Sequence, residues 1–563
     1  MKNTGFILSA ISVLAVAFLL RSIALTSIPY GLSWDEAAYA ANAHSLLMSG
    51  ADEWGVSFPV FLKSFGEYKP AGLSYLIASF LLIFRNPELA TRLSAVFLGI
   101  VSIVGSMIIT RVVSRSSVLA IIVGALLATS PWHIHYSKTA TDPIVGLALL
   151  CLGLSAWLKP NKWLQIGGAI LLALSMYAYN AERVFVPIFL LLWGIYEVSH
   201  SKKLTGSKIA SYAVVYTASM GLILATILTP IGTRAKETSL WHSSIIKQPL
   251  ADRTAVSAKS NMQLYWIINN KFVEFSRAAG ERYVAQLRPD FLFFSQQGFF
   301  ADLGFSRHGN MLFVTLPFFA IGLFFSIRAM HKSGVFFLLW LLVSPLPAAL
   351  TIDGPHTGRS LALVVPLCYF SAYGITVCVQ ALQAAATAQR IAMVGIATAL
   401  VFSAGLWFQD YLLFGPKELN REYQGYSPEL SRTLSDARST YKQVFVSGSE
   451  RGRHQLLYML LYEKLDPKPL QSEINHESIH TVYENISLTQ SHSDLACALL
   501  QPNSLVIMLP NEYAELGISV PQATVLVSPE NNLPQYVKME SSQVTTVSQQ
   551  ILKKTCQSVS TYN

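Results

Sequence analysis

The chain has 563 residues, 52% of them hydrophobic and only 13% charged, with a mean hydropathy of +0.42. A soluble chain carries about 25% charged residues, so a soluble enzyme is excluded and a polytopic membrane protein is expected. The formal net charge of +9 does not require nucleic acid, because the basic residues gather in short loops on one side of the expected membrane spans.

In chain order, the first apolar run, 6–27 after Lys2, is too long for the hydrophobic part of a signal peptide, and Ala15-Val16-Ala17 lies inside it. It reads as an uncleaved signal anchor. Further spans are expected at about 89–110, 117–136, 143–158, 164–181, 184–199, 209–230, 310–327, 334–350, 360–382 and 391–411, eleven in all. The stretch 71–84 is short for a span and suits an interfacial or re-entrant helix.

Loop charge sets the parity. If 71–84 does not cross, Lys2, Arg111, Arg115, Lys159, Lys162, Lys202, Lys203, Lys208, Arg328, Lys332 and Arg390 all face the cytoplasm, with Glu197 the one acid among them. If it crosses, all but Lys2 move outside. The N-terminus is therefore expected inside and the C-terminus outside, with Arg85 and Arg92 left on the outer face. Trp34, Trp132, Trp157, Trp163 and Trp407 fall at segment ends, as an interfacial belt requires.

Three polar regions then share the outer face: a first loop of 27–88, a second of 231–309, and a tail from 412. The expected division is a transmembrane domain over 1–411 and an extracytoplasmic soluble domain over 412–563. In the tail, 443–447 and 504–509 read as buried strands and 454–465 as a helix, which makes it a small α/β domain. Neither an internal repeat nor a low-complexity tract is visible. Five cysteines without C-x-x-C spacing leave no zinc ribbon or thioredoxin-like site. Cys151, Cys368 and Cys378 lie in apolar runs, whereas Cys497 and Cys556 lie in the tail and could pair in an oxidising compartment.

The chemistry-bearing residues gather at the outer ends of the spans. Asp35 and Glu36, in Gly31-Leu32-Ser33-Trp34-Asp35-Glu36, stand at the start of a helical stretch, where a carboxylate serves either as a helix cap or as a base. Glu67-Tyr68-Lys69-Pro70 sets a carboxylate, a phenol and an ammonium before the short interfacial helix; such a Lys either snorkels or clamps a phosphate. Ser130-Pro131-Trp132-His133-Ile134-His135-Tyr136-Ser137 follows, and its two histidines lack a nearby third ligand and so do not define a metal site. Asp142 sits where a loop meets the bilayer, a costly place for a charge. Tyr179 and Arg183, in Tyr177 to Arg183, and His356 and Arg359, in Asp353 to Arg359, occupy equivalent outer ends.

This ordered set resembles the signature series of the C-type (GT-C) membrane glycosyltransferases, most closely bacterial members of the protein O-mannosyltransferase and aminoarabinose-transferase branch (families 39 and 83). The likeness covers about 1–410. It implies an all-α polytopic fold with juxtamembrane helices, a polyprenyl-phosphate-linked sugar as donor, and catalysis on the outer face of the plasma (inner) membrane. By resemblance Asp35 is the catalytic carboxylate, Lys69 and an Arg hold the donor phosphate, and Asp142 is a second acidic site residue. Glu36, Glu67, Tyr68, Tyr179, Arg183, His356 and Arg359 complete the expected substrate-binding set. Two departures stand out: Ala71 follows Lys69-Pro70 where relatives carry a second proline, and Lys138 stands where many carry Arg.

The chemistry fits those residues. A sugar on a lipid phosphate is already activated, so the enzyme need only deprotonate an acceptor hydroxyl, hold it in line and stabilise the departing phosphate. Direct displacement inverts the anomeric centre. No cofactor is required with certainty, and a divalent metal is left open. With no G-x-x-x-x-G-K loop, a soluble nucleotide donor is not expected. The alternative, a transporter or flippase of lipid-linked sugars, predicts charges within the spans and two related halves, and the sequence has neither.

Overall fold

The computed structural model describes residues 3–64, 67–200, 204–257, 269–294, 307–419, 423, 425, 427–447, 452–473, 482–489, 492–518, 524–527 and 534–557. They fall into two compact units, one of 1–25, 65–70 and 92–413, the other of 26–64, 71–91 and 414–563. The tail thus shares a unit with most of the first outer loop.

The chain begins with α1 (Asn3–Ser22), α2 (Trp34–Ser49), strands β1 (Phe61–Ser64) and β2 (Glu67–Pro70), α3 (Gly72–Leu81) and α4 (Pro87–Ser114). Next come α5 (Ser117–Thr129), α6 (Pro131–Tyr136), α7 (Asp142–Trp157), α8 (Lys162–Ala178), α9 (Glu182–His200) and α10 (Gly206–Leu228). Apolar helices at Leu316–Ala329, Lys332–Val343, Val364–Ala381 and Ala386–Leu419 complete this part. Seven helical stretches among the described residues are long and apolar enough to cross a membrane: 4–22, 87–114, 182–200, 206–228, 332–349, 361–381 and 386–419. This is a membrane protein. The other expected spans are also helical but shorter, and α3 has only 10 residues.

Two expected spans are broken where proline dictates. The run 117–136 divides into α5 and α6 because Ser130 precedes Pro131 and adopts φ −67°, ψ 125°, the extended region to which a following proline confines a residue. The run 334–350 ends its first helix at Val343 and resumes over Leu346–Ala349, around Pro345 and Pro347.

Close helix contacts in the first unit rest on small residues, which let backbones approach where lipid supplies no hydrophobic drive. An added Cβ on Gly322 would collide with the Phe370 carbonyl, and one on Gly374 with the Phe318 carbonyl, so Leu316–Ala329 and Val364–Ala381 meet backbone to backbone. Gly153 of α7 and Gly168 of α8 face each other in the same manner.

In the second unit, α2 has well-defined ends. Gly31 takes φ +74°, a conformation natural to glycine, and turns the chain into the N-cap Ser33. The Ser33 amide donates to Glu36 Oε2 at 3.0 Å, its hydroxyl to the same oxygen at 3.1 Å, and the Glu36 amide to Ser33 Oγ at 3.4 Å, a complete capping box. Gly50 closes the helix at φ +72°, its N–H donating to the Leu46 carbonyl. The loop that follows is held by the buried Asn42, whose amide donates to Glu53 Oε1 at 3.2 Å and accepts from the Glu53 N–H at 2.9 Å.

The tail carries a six-stranded sheet of β3 (Gln443–Ser447), β4 (Val482–Tyr483), β5 (Ile486–Thr489), β6 (Ser504–Met508), β7 (Thr524–Val527) and β8 (Pro534–Glu540), in the order β4-β5-β3-β6-β8-β7. β3 runs parallel to β5, with Val444 opposite Ile486, and to β6, with Val444 opposite Leu505; the outer pairings are antiparallel. β6 is buried along its whole length, as a central strand covered on both faces must be. Phe445, Val506, Met508, Val537 and Met539 pack with Leu495, Leu499 and Leu552 in the core. A disulfide joins Cys497 to Cys556 and ties His492–Leu499 to Thr546–Gln557.

Candidate functional site

In the second unit, Asp35 lies in the first turn of α2, half-buried, while Glu36 is fully buried and engaged in the cap. The capping box is formed by Ser33 and Glu36. The other predicted residues belong to the first unit.

There, Asp142 opens α7 behind the N-cap residue Thr141 and ahead of Pro143, a placement that the helix dipole favours for an acid. Arg183, in the first turn of α9, donates through Nε to the Met176 carbonyl at 3.0 Å and through Nη1 to Thr226 Oγ1 at 3.3 Å. It also lies within electrostatic reach of Asp142. Tyr179 joins them: a Cβ added to Gly146, one turn into α7, would stand 2.8 Å from Tyr179 Cβ and 3.2 Å from Glu182 Cγ. Glu182 is almost completely buried, and its Oε2 has no hydrogen-bond partner among the described residues.

The 353–359 loop packs onto the same end of α7. A Cβ at Gly358 would lie 3.1 Å from His356 Cε1, 3.1 Å from the Tyr136 hydroxyl and 3.2 Å from Pro143 Cγ. His356 Nδ1 accepts from the N–H groups of Gly358 at 3.0 Å and Arg359 at 3.3 Å, so its proton sits on Nε2. The Tyr136 and Thr357 hydroxyls are 2.8 Å apart, and Trp132 Nε1 donates to the Thr357 carbonyl at 3.1 Å. Arg359 donates to Asp353 Oδ2 and Thr351 Oγ1, each at 2.7 Å, so this expected cation already has a carboxylate partner. Asp142, Tyr179, Arg183, His356 and Arg359 are therefore assembled around one helix end.

Lys69 is buried on β2, which runs beside Pro230–Gly232 and Thr233–Glu237; Tyr68 next to it is half-buried. Glu67 begins β2, and its side chain lies outside the described residues.

Three further cations, buried without exposure, had no assigned role in the sequence: Arg21, Arg92 and Lys138. Arg21 donates to the Ala128 carbonyl at 3.0 Å and the Leu127 carbonyl at 3.2 Å, serving as the cation at the C-terminal end of α5. It also reaches His133 Nδ1 at 2.7 Å, and His133 Nε2 lies 2.7 Å from Ser102 Oγ. Arg92 donates to the Leu25 carbonyl at 2.8 Å and Lys138 to the Ile23 carbonyl at 2.9 Å, so both grip the chain just after α1. Among the described residues no three His, Cys, Asp or Glu side chains converge as a metal would require.

This architecture is the fold of the C-type membrane glycosyltransferases. The solved structures it matches include ArnT, an aminoarabinose transferase, from Cupriavidus metallidurans in its apo state, at 13% identity and a TM-score of 0.52 over 96% of this chain and 99% of that one. The same enzyme bound to undecaprenyl phosphate matches at 13% identity and a TM-score of 0.51, over 95% and 98%. The oligosaccharyltransferase AglB from Archaeoglobus fulgidus, in complex with an inhibitory peptide and a dolichol-phosphate, matches at 14% identity and a TM-score of 0.46, over 80% of this chain and 63% of that one. No protein-family model and no curated protein sequence matches the chain.

Proposed function

We propose that the protein is an inverting membrane glycosyltransferase that moves a hexosyl or pentosyl group from a polyprenyl-phosphate-linked donor to an acceptor hydroxyl or phosphate on a protein, lipid or glycan. The observation that carries this reading is the end-to-end likeness to a transferase whose solved complex holds undecaprenyl phosphate, combined with the gathering of acidic and basic side chains at one end of α7.

Asp35 is the general base. It is half-buried in the first turn of α2, where Ser33 and Glu36 form the capping box. A base in that place takes the acceptor proton as the anomeric carbon is attacked from the face opposite the phosphate. Lys69 and Arg183 hold the departing phosphate, and the Asp353-paired Arg359 orients the His356 loop. Cations in such water-poor surroundings stabilise a leaving anion more than they would in bulk water. Asp142 and Tyr179 bind the sugar, and Tyr68 and His356 line its approach.

The reaction takes place on the extracytoplasmic face of the plasma membrane, with the tail on the same side. Two observations support this: the basic short loops all gather on the opposite face under that parity, and the tail contains a disulfide, which persists in oxidising compartments.

The test is sugar transfer by the purified chain in nanodiscs, using radiolabelled polyprenyl-phosphate sugars and envelope extract as acceptor. Label should pass to an acceptor with release of polyprenyl phosphate, and no release with any such donor would refute the reading. Reporter fusions after residues 202 and 430 should read inside and outside.

A further inference from the structure

We propose that the tail is the positioning platform for the catalytic helix, and that Tyr458 is its working contact. This rests on the reading of Asp35 as the base.

Leu32 directly precedes the N-cap of α2. The first intrahelical bond goes to Ser33, whose carbonyl accepts from the Ala37 N–H at 2.8 Å, so the Leu32 carbonyl lies outside the helix ladder. That carbonyl accepts from the Tyr458 hydroxyl at 2.7 Å across 426 residues of sequence, and both residues are fully buried. Tyr458 belongs to the helix Gly452–Tyr462, which packs along α2.

The far end of α2 is held from the same part of the tail. His44 Nε2 meets the Leu465 carbonyl at 2.9 Å, and the Gln471 amide donates to Ser45 Oγ, Ser49 Oγ and the Asp52 carbonyl at 2.9, 3.0 and 2.7 Å. The tail is thus bonded to the chain just ahead of the N-cap of α2 and to the C-terminal part of that helix. A base must lie within about 2.6–3.2 Å of the proton it removes, and a misplacement of about 1 Å costs on the order of a hundredfold in rate. A helix turn that bears such a base needs an external fix, and Tyr458 supplies one three residues before Asp35.

The test compares Tyr458→Phe and Gln471→Leu with the double variant Cys497→Ser, Cys556→Ser, all as full chains in nanodiscs. The double variant loosens the tail's sheet core without touching α2. Tyr458→Phe should lower kcat about tenfold or more with donor KM within twofold, and Gln471→Leu should do the same to a smaller degree. The disulfide variant, brought to the same loss of melting temperature, should keep kcat near wild type. Wild-type kcat in both Tyr458→Phe and Gln471→Leu would overturn the proposal, as would an equal loss in the disulfide variant. Should Tyr458→Phe fail to fold, Gln471→Leu alone decides. Asp35→Asn separates the two readings: if it is inactive while the platform variants are normal, only the positioning role falls, and if it is active the base assignment itself falls.

Discussion

Both the amide and the hydroxyl of Ser33 donate to a single oxygen of Glu36, Oε2. Glu36 is therefore committed to the cap at the start of α2, and the proposed mechanism gives the two adjacent acids different work. Asn would occupy position 35 at a stability change of a few tenths of a kcal/mol, but it has no proton affinity near neutral pH. Asp35→Asn should leave the melting temperature unchanged and lower transfer about 10²–10⁴-fold. Glu36→Ala, in contrast, should cost about 1 kcal/mol or more of stability through the lost cap. Transfer rates and thermal unfolding of both variants in nanodiscs check this; an active Asp35→Asn would end the base assignment.

The division of labour shows what the sequence could and could not say. The apolar runs, the tail's strands at 443–447 and 504–508 and the clustering of acids and bases at loop ends are all visible as patterns of residue type. Which acid caps α2 is not, since both fit the first turn and the decision lies in a side-chain rotamer. Arg21 was equally opaque: an Arg at the end of an apolar run looks like an anchor, and its partners on α5 are 106 and 107 residues away. Loop charge assigns Arg92 a side of the membrane but not its enclosure, with Nη1 on the Leu25 carbonyl. Tyr458 sits in an apolar stretch that reads simply as core. Long-range hydrogen bonds leave no periodic trace.

The helix pair Leu316–Ala329 and Val364–Ala381 offers a packing test. Because a Cβ on Gly374 would collide with the Phe318 carbonyl, the helices must part to admit one. Overpacking of this kind costs typically 1–3 kcal/mol. Gly374→Ala should lower the melting temperature in detergent, and Gly395→Ala, with open space around its Cβ position, should not. Equal melting temperatures for the two would show that the close approach does not bear on stability.

The disulfide closes a sequence separation of 59 residues. Chain-entropy arguments assign such a loop about 4 kcal/mol. Replacing Cys497 and Cys556 with Ser should lower the unfolding temperature, and reductant should lower that of the wild type to match. Thiol labelling of the unreduced, denatured protein should mark Cys151, Cys368 and Cys378 only. Labelling at Cys497 in protein made with an intact export pathway would argue against an oxidising location for the tail.

Lys138 carries a pH dependence with a definite sign. It lies in the turn between α6 and α7, without exposure, and its Nζ donates to the Ile23 carbonyl and stands 4.9 Å from the Tyr411 ring centroid. Burial, followed by the charges of Arg92 and Arg21, lowers its pKa from 10.5 to about 7. In the unfolded chain the ammonium keeps its proton up to about 10.4. Between those values the unfolded state binds more protons than the folded state, so the stability of the fold rises with pH across that window. Below about 7 both states are protonated and the full burden of a buried cation beside two others is present. Lys138→Met removes the titrating group while keeping an unbranched chain of similar length. The wild type should gain melting temperature from pH 7 toward pH 9, and Lys138→Met should show a flatter profile with the largest difference in its favour at pH 6–7. Parallel profiles for the two proteins would mean that Lys138 stays charged in the folded state throughout, held there by the Ile23 carbonyl and the Tyr411 ring.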